Sequence, residues 1–201
     1  MVEGDPLLSE QSLHSYQGRI FNVLTVNLMV NAENIAVLMK SCPYPDPDVF
    51  VIDIDSVDYY VLKRVLELNY RPKIIVVEYN STFGPERSVT IPYQVNVGRY
   101  QGHSSGLYYG VSVAAWKKLL GQYGYQFITV ESSGANAFFI EPNAFPAGFS
   151  SPIRGIPFLE NVGDRNGATE PYRDGQGNLV VPKRVWSEQF ERIRDMPFVE
   201  V

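Results

Sequence analysis

Hydrophobic positions along the chain alternate between short continuous runs and sets at helical spacing. Three runs are almost wholly apolar and flanked by turn residues: Ile20 to Asn27, Val49 to Ile54, and Lys73 to Tyr79 with its core Ile74-Ile-Val-Val77. Runs of this length, rich in β-branched residues, read as strands buried on both faces. Helical spacing lies between them. Pro6 opens Leu7 to Tyr16, with Leu8, Leu13 and Tyr16 on one side. Asn31 is placed to cap a helix to Ser41 that buries Ile35, Leu38 and Met39. Val57 to Leu68 aligns Val61, Val65 and Leu68, with Asp55 or Ser56 as its cap, and Val111 to Tyr123 stops at Gly124. Tyr125 to Glu131 and Asn136 to Glu141 flank Ser132-Ser-Gly-Ala135 and read as a hairpin. Met1 to Pro6 reads as the end of one more strand.

The resulting order is β-α-β-α-β-α-β-loop-α-β-β. Strands alternating with helices imply an α/β, Rossmann-like, doubly wound sheet, mostly parallel, with an antiparallel strand from the C-terminal hairpin. Residues 1–141 would form this domain. Residues 142–201 carry Pro, Gly, Asn and Arg with little apolar period, and read as an extension wrapping the domain rather than a second core. One helix is expected there, over Val185 to Arg194, with Trp186, Phe190 and Ile193 on a single side.

Composition narrows the classes. Of 201 residues 45% are apolar, enough for one core, and the net charge of -5 comes with basic residues no more concentrated than the pairs Lys117-Lys118 and Lys183-Arg184. No basic stripe with interleaved aromatics exists, which argues against a nucleic-acid partner. Cys42 is the single cysteine, so no disulfide framework forms within the chain, and a small packed thiol in a reducing cytoplasm is expected. No apolar run reaches the roughly 18 residues that span a membrane, and no basic-then-apolar leader opens the sequence.

Chemistry concentrates at the strand ends. Asp53 and Asp55 lie two apart and would share one face of a strand, at the end where α/β sheets bind ligands. Glu78 ends the next strand. Three hard carboxylates there suit Mg²⁺ or Mn²⁺. Asp58 reads as a first-turn acid complementing the helix dipole. Ser81 to Gly110 is a long loop, and loops of that length in compact domains are usually functional or disordered. Within it, His103 reads either as a general base or, more commonly for such a position, as a solvated loop histidine, and Tyr93, Tyr100, Tyr108 and Tyr109 are placed to line an acceptor pocket or to pack the loop. His14, on the first helix, reads as structural.

Five words in the sequence add a resemblance: Val2-Glu-Gly-Asp-Pro6, Asn27-Leu-Met-Val-Asn-Ala-Glu-Asn-Ile35, Val51-Ile-Asp-Ile-Asp-Ser-Val-Asp-Tyr59, Val76-Val-Glu-Tyr-Asn80 and Ser132-Ser-Gly-Ala-Asn-Ala-Phe-Phe139. Together they resemble FkbM-related, class I S-adenosylmethionine-dependent methyltransferase-like proteins, over residues 1–140. The resemblance implies an O-methyltransferase acting on a small-molecule or sugar hydroxyl. It implies that Glu3 holds the cofactor ribose, that Asn27 lies near the adenine, and that Asp53 sits where donor and acceptor meet. The first strand and Gly-rich turn of that family would precede Glu3, so an N-terminally truncated form of the fold is expected. Its open sheet edge would favour a homo-oligomer. Two further readings stay open. Asp53-Ile-Asp55 after an apolar strand also fits a metal-dependent sugar transferase, and a domain lacking the Gly-rich turn also fits a non-catalytic binding or assembly module.

Overall fold

A computed structural model describes residues 2–16, 26–42, 44–95, 98–161, 172–173, 175–180 and 185–201. In chain order the elements are β1 (Val2–Glu3), α1 (Pro6–Tyr16), β2 (Val26–Asn27), α2 (Ile35–Lys40), β3 (Val49–Ile52), α3 (Asp58–Glu67), β4 (Ile74–Glu78), a 3-10 turn (Ser81–Phe83), β5 (Val89–Thr90), α4 (Arg99–Gly102), α5 (Val113–Gln122), β6 (Gln126–Val130), β7 (Asn136–Ile140), a 3-10 turn (Pro142–Ala144), β8 (Tyr172–Arg173), β9 (Leu179–Val180), α6 (Trp186–Glu191) and β10 (Val199–Glu200). The strand expected from Ile20 lies outside the described residues up to Val26, as does the side chain of His14.

The molecule is a mixed α/β structure. Its largest sheet has the order β3-β4-β7-β6. Only β3 and β4 pair in parallel there, Val49 opposite Ile74 and Ile52 opposite Val77. The hairpin β6–β7 inserts antiparallel, with β7 against β4. A separate parallel pair joins Val2 to Val26 and Glu3 to Asn27. Parallel pairing is thus confined to these two pairs among the described residues, so the described sheet is not the mostly parallel one expected.

Alternation along the strands sorts the sheet into two faces. Ile52, Ile75, Val77, Ala137 and Phe139 share one face and pack with Ile35 and Met39 of α2, Val61, Leu62, Val65 and Leu66 of α3, and Val113, Trp116, Leu119 and Leu120 of α5. These helices form because their apolar residues recur at three and four positions. Asn31 does not cap α2 itself. Its side chain accepts from the N–H groups of Glu33 and Asn34, closing a turn just before the helix. Ser112 caps α5 by accepting from Ala115 N–H, and Gly124, at φ 85°, ends it where a side chain would be strained.

The C-terminal region divides. Residues near 156 cover the outer edge of β6: Val130 N–H donates to Ile156 O, and Ile156 N–H to Thr129 Oγ1. Gly155 permits this approach, since a Cβ there would lie 1.8 Å from Ile128 O. Farther on, β10 pairs with β5, and Ile193, Phe190, Met196 and Phe198 join Phe83, Val89, Ile91, Leu107 and Tyr108 in a second apolar cluster. The extension therefore packs against Phe83, Val89, Ile91, Leu107 and Tyr108 of the domain in a second, smaller apolar cluster.

Candidate metal centre

The parallel register of β3 and β4 sets their carboxyl ends side by side, with Asp53 directly after β3 and Glu78 closing β4. The chain then turns sharply, since Asp55 takes a left-handed φ of 52°. That turn, rather than a shared strand face, brings Asp55 beside Asp53. One oxygen each from Asp53, Asp55 and Glu78 lies within 4.8 Å of the others. Trp116 anchors the end of β4 by donating its indole N–H to Glu78 O at 2.7 Å.

Glu78 is the least comfortable member. It is 8% exposed, and its Oε2 has no hydrogen-bond partner. Burial pushes its carboxyl up to about 10, helped by the charges of Asp53, Asp58 and Asp55, while Arg99 opposes the shift. Asp53 is also raised, first by partial burial and then by Asp55; a hydrogen bond with Glu78 and the charge of Arg99 pull the other way. Asp53 nonetheless keeps surface open to solvent.

Two neighbouring groups carry no local signal in sequence. Asp58, expected to sit in the first turn as a dipole partner, is fully buried. Its carboxylate accepts from Ile54 N–H at 2.9 Å and Ser56 N–H at 3.0 Å, and thereby pins the turn that holds Asp53 and Asp55. Neither Asp55 nor Ser56 caps α3 with its side chain, because the cap position is Val57. Burial raises Asp58 to about 6, and those two backbone bonds oppose the shift. Arg99 is the second. It donates from Nε to Gly106 O at 2.7 Å, lies over the Tyr109 ring at 4.0 Å, and approaches Asp55 Oδ1 at 3.4 Å. Arg87, in the same loop, looks equivalent in sequence but lies over Phe190 and Trp186.

Two cavities meet at the cluster. Asp55 borders a small one of about 130 Å³, lined also by Gln94, Gln101, Tyr108, Tyr109 and Met196. Asp53 borders a larger, mainly apolar cleft of about 420 Å³ that includes Val2, Val26, Ile35 and Val51. Of the expected loop residues, Tyr108 and Tyr109 reach the small cavity. Tyr93 instead packs on Tyr60 and donates its hydroxyl to Glu33, while Tyr100 faces solvent. His103 lies outside the acidic cluster and lines neither cavity. Its Nδ1 accepts from Ser105 N–H and lies 2.7 Å from Ser105 Oγ, closing its own turn. Glu3 and Asn27 do come together: they are register partners, Asn27 Nδ2 donates to Glu3 O, and the Glu3 carboxylate accepts from Asp5 N–H. Cys42, half-buried, directs its thiol at Tyr44 O and lines the apolar cleft.

Comparison with known proteins gives no matching family model, no matching curated protein and no matching solved structure. Among the described residues, no helix is long and apolar enough to cross a membrane.

Proposed function

We propose that Asp53, Asp55 and Glu78 hold a divalent cation, Mg²⁺ or Mn²⁺, in an S-adenosylmethionine-dependent O-methyltransferase-like domain that acts on a hydroxyl of a small-molecule or sugar acceptor. The observation that carries this reading is the buried, unpartnered Oε2 of Glu78 within a cluster of three carboxylates. An ionised carboxylate without a partner is costly in such surroundings. A proton relieves that cost in the absence of metal, and a cation relieves it for all three acids together. Hard oxygen donors select Mg²⁺ or Mn²⁺ over softer metals.

When bound, the cation supplies Lewis-acid polarisation of an acceptor oxygen. The chain's own residues supply the rest. Gln101, Tyr108 and Tyr109 border the cavity in which an acceptor would lie against Asp55. Asp53, beside Asp55 and open to solvent, would take the hydroxyl proton. Arg99 holds Asp55 in place and offsets part of the negative charge. On the cofactor side, Glu3 suits a vicinal ribose diol because a carboxylate accepts from both hydroxyls. Asn27 is beside it. The cleft that joins Val2 to Asp53 is lined by no glycine, so the described residues there provide no Gly-rich cradle for the methionine end of the cofactor. The antiparallel insertion of β7 between β4 and β6 supports the methyltransferase-like reading, whose sheet ends in such a hairpin.

Mn²⁺ titration followed by calorimetry and electron paramagnetic resonance tests the centre. One ion should bind the wild-type chain, and Asp53→Asn should weaken binding by about tenfold or more. Equal affinity in the variant overturns the assignment. A second reading, a sugar transferase, is favoured by the convergence of both acids of Asp53-Ile-Asp55 in one cluster. Binding of a uridine diphosphate sugar with Mn²⁺, without binding of S-adenosylmethionine, would select it. Binding of neither would leave the non-catalytic module.

A further inference from the structure

Among the described residues, two buried side-chain polar atoms lack a hydrogen-bond partner: Glu78 Oε2 and Asn136 Oδ1. They belong to residues that stand directly opposite each other, Glu78 closing β4 and Asn136 opening β7. Opposed residues of an antiparallel pair share a face of the sheet, with Cβ atoms about 5 Å apart. An amide oxygen and an ionised carboxylate are both acceptors, so neither satisfies the other. A cation between them satisfies both at once.

The register carries the pattern across the sheet. Ile52 of β3 pairs with Val77, so Asp53 follows in line with Glu78, to which it is hydrogen-bonded. Val130 of β6 pairs with Ala137, so Glu131 follows in line with Asn136, and Glu131 N–H donates to Asn136 O. Asp53, Glu78, Asn136 and Glu131 therefore form one polar row over all four strands, at the end of the sheet to which Asp55 returns.

Glu131 decides how the Asn136 amide is turned. Its Oε1 accepts from Asn136 Nδ2 at 2.9 Å, from Asn136 N–H at 3.1 Å and from Ser133 Oγ at 2.7 Å. A carboxylate only accepts, so the amide must turn its NH2 toward Glu131 and its oxygen away from β6. On the β4 side of Asn136 stands Glu78. A carboxylate that orients a ligand from behind is a common support for protein-bound metals.

We propose that Asn136 is a fourth ligand of the cation, giving its Oδ1 beside the carboxylates of Asp53, Asp55 and Glu78, with Glu131 as the residue that positions it. The proposal rests on the cation reading of the three acids. It adds a neutral, hard oxygen of the kind Mg²⁺ and Mn²⁺ accept. Through the ion, the β6–β7 hairpin is tied to the parallel pair β3–β4.

Mn²⁺ titration of the full chain, followed by electron paramagnetic resonance, tests this. Asn136→Ala should weaken binding by about tenfold and admit one more water to the ion, read from the line broadening in isotope-enriched water. Asn136→Asp, which keeps an oxygen at that position, should retain the wild-type water count. Asn143→Ala removes an amide that Glu141 holds in the same way, in the turn after β7, and should change neither quantity. Circular dichroism checks that each variant folds. One measurement needs no variant: the infrared difference between Mn²⁺-loaded and metal-free wild type, with asparagine labelled at the carboxamide carbon, should contain an isotope-sensitive carbonyl band. Absence of that band overturns Asn136 as a ligand and leaves the three-acid centre standing. So does unchanged affinity and water count in a folded Asn136→Ala chain, or weaker binding without added water. Failure of the wild-type chain to bind Mn²⁺ overturns the centre and this ligand together.

Discussion

At the residue scale, Glu78 is the group whose protonation couples the candidate centre to stability. In the unfolded chain its carboxyl titrates at its ordinary 4.5, and in the folded state at about 10. The folded state therefore holds the proton more tightly. The associated stability is fully present below 4.5 and is lost as pH rises through about 10. Thermal melts in chelator-treated buffer should show the midpoint falling as pH rises across that window. Glu78→Gln, which keeps the shape without the charge, should flatten the fall. Mn²⁺ should restore the wild-type midpoint at high pH and leave the variant's unchanged, because the ion stabilises the folded state by binding it. A wild-type profile that is flat in metal-free buffer would refute the assignment of Glu78. The acids at positions 53 and 78 are legible in the sequence because each ends an apolar run. The buried setting of Glu78, with its Oε2 unpartnered, is not, since it depends on Trp116, Arg99 and Asp58, which come from other elements.

At the element scale, the turn from β3 into α3 is held by one side chain. Asp58 satisfies two backbone donors, those of Ile54 and Ser56, from a position with no contact to solvent. Asp58→Ala would leave both donors unsatisfied in the interior and should destabilise the chain by about 3 kcal/mol in urea unfolding at pH 7. Asp58→Asn keeps an acceptor oxygen and should cost less. Because the Asp58 charge is one cause of the raised Glu78 carboxyl, both variants should also draw the Glu78 titration toward neutrality. Equal stability of Asp58→Ala and wild type would show that the turn is held by other means. The helical period of Val61 and Val65 and the stop at Gly124 could be read along the chain, because both are local. The inward direction of Asp58 could not, because a first-turn acid looks the same whether it points to water or back at its own turn.

At the scale of the whole molecule, the C-terminal segment closes the structure over residues 81–108. Phe198 makes edge-on contacts with Phe83 and Tyr108 and stacks with Phe190, while Tyr108 donates its hydroxyl to Pro197 O. Val201 and Ser88 exchange bonds, backbone to backbone and Ser88 Oγ to Val201 O. Phe198→Ala should therefore destabilise the chain by about 3 kcal/mol. Since Tyr108 and Met196 also line the cavity beside Asp55, that variant should disturb ligand binding there while leaving Mn²⁺ affinity intact. Urea unfolding together with Mn²⁺ calorimetry reads both effects, and loss of Mn²⁺ binding in a folded Phe198→Ala chain would show that the cavity and the centre are not separable.

The sequence by itself determined the kinds of element and most of their order. Apolar runs, helical spacing, Gly124 and the Ser132-Ser-Gly-Ala135 turn are local, and local backbone and burial preferences are enough to express them. It also placed carboxylates at two strand ends. Only the tertiary structure decided that β7 lies between β4 and β6, that Asp55 returns beside Asp53 through a left-handed turn, and that Arg99 rather than Arg87 faces the acids. The placing of Asn136 opposite Glu78 was decided there too. These outcomes rest on contacts between residues far apart in the chain, whose geometry no short window of sequence contains.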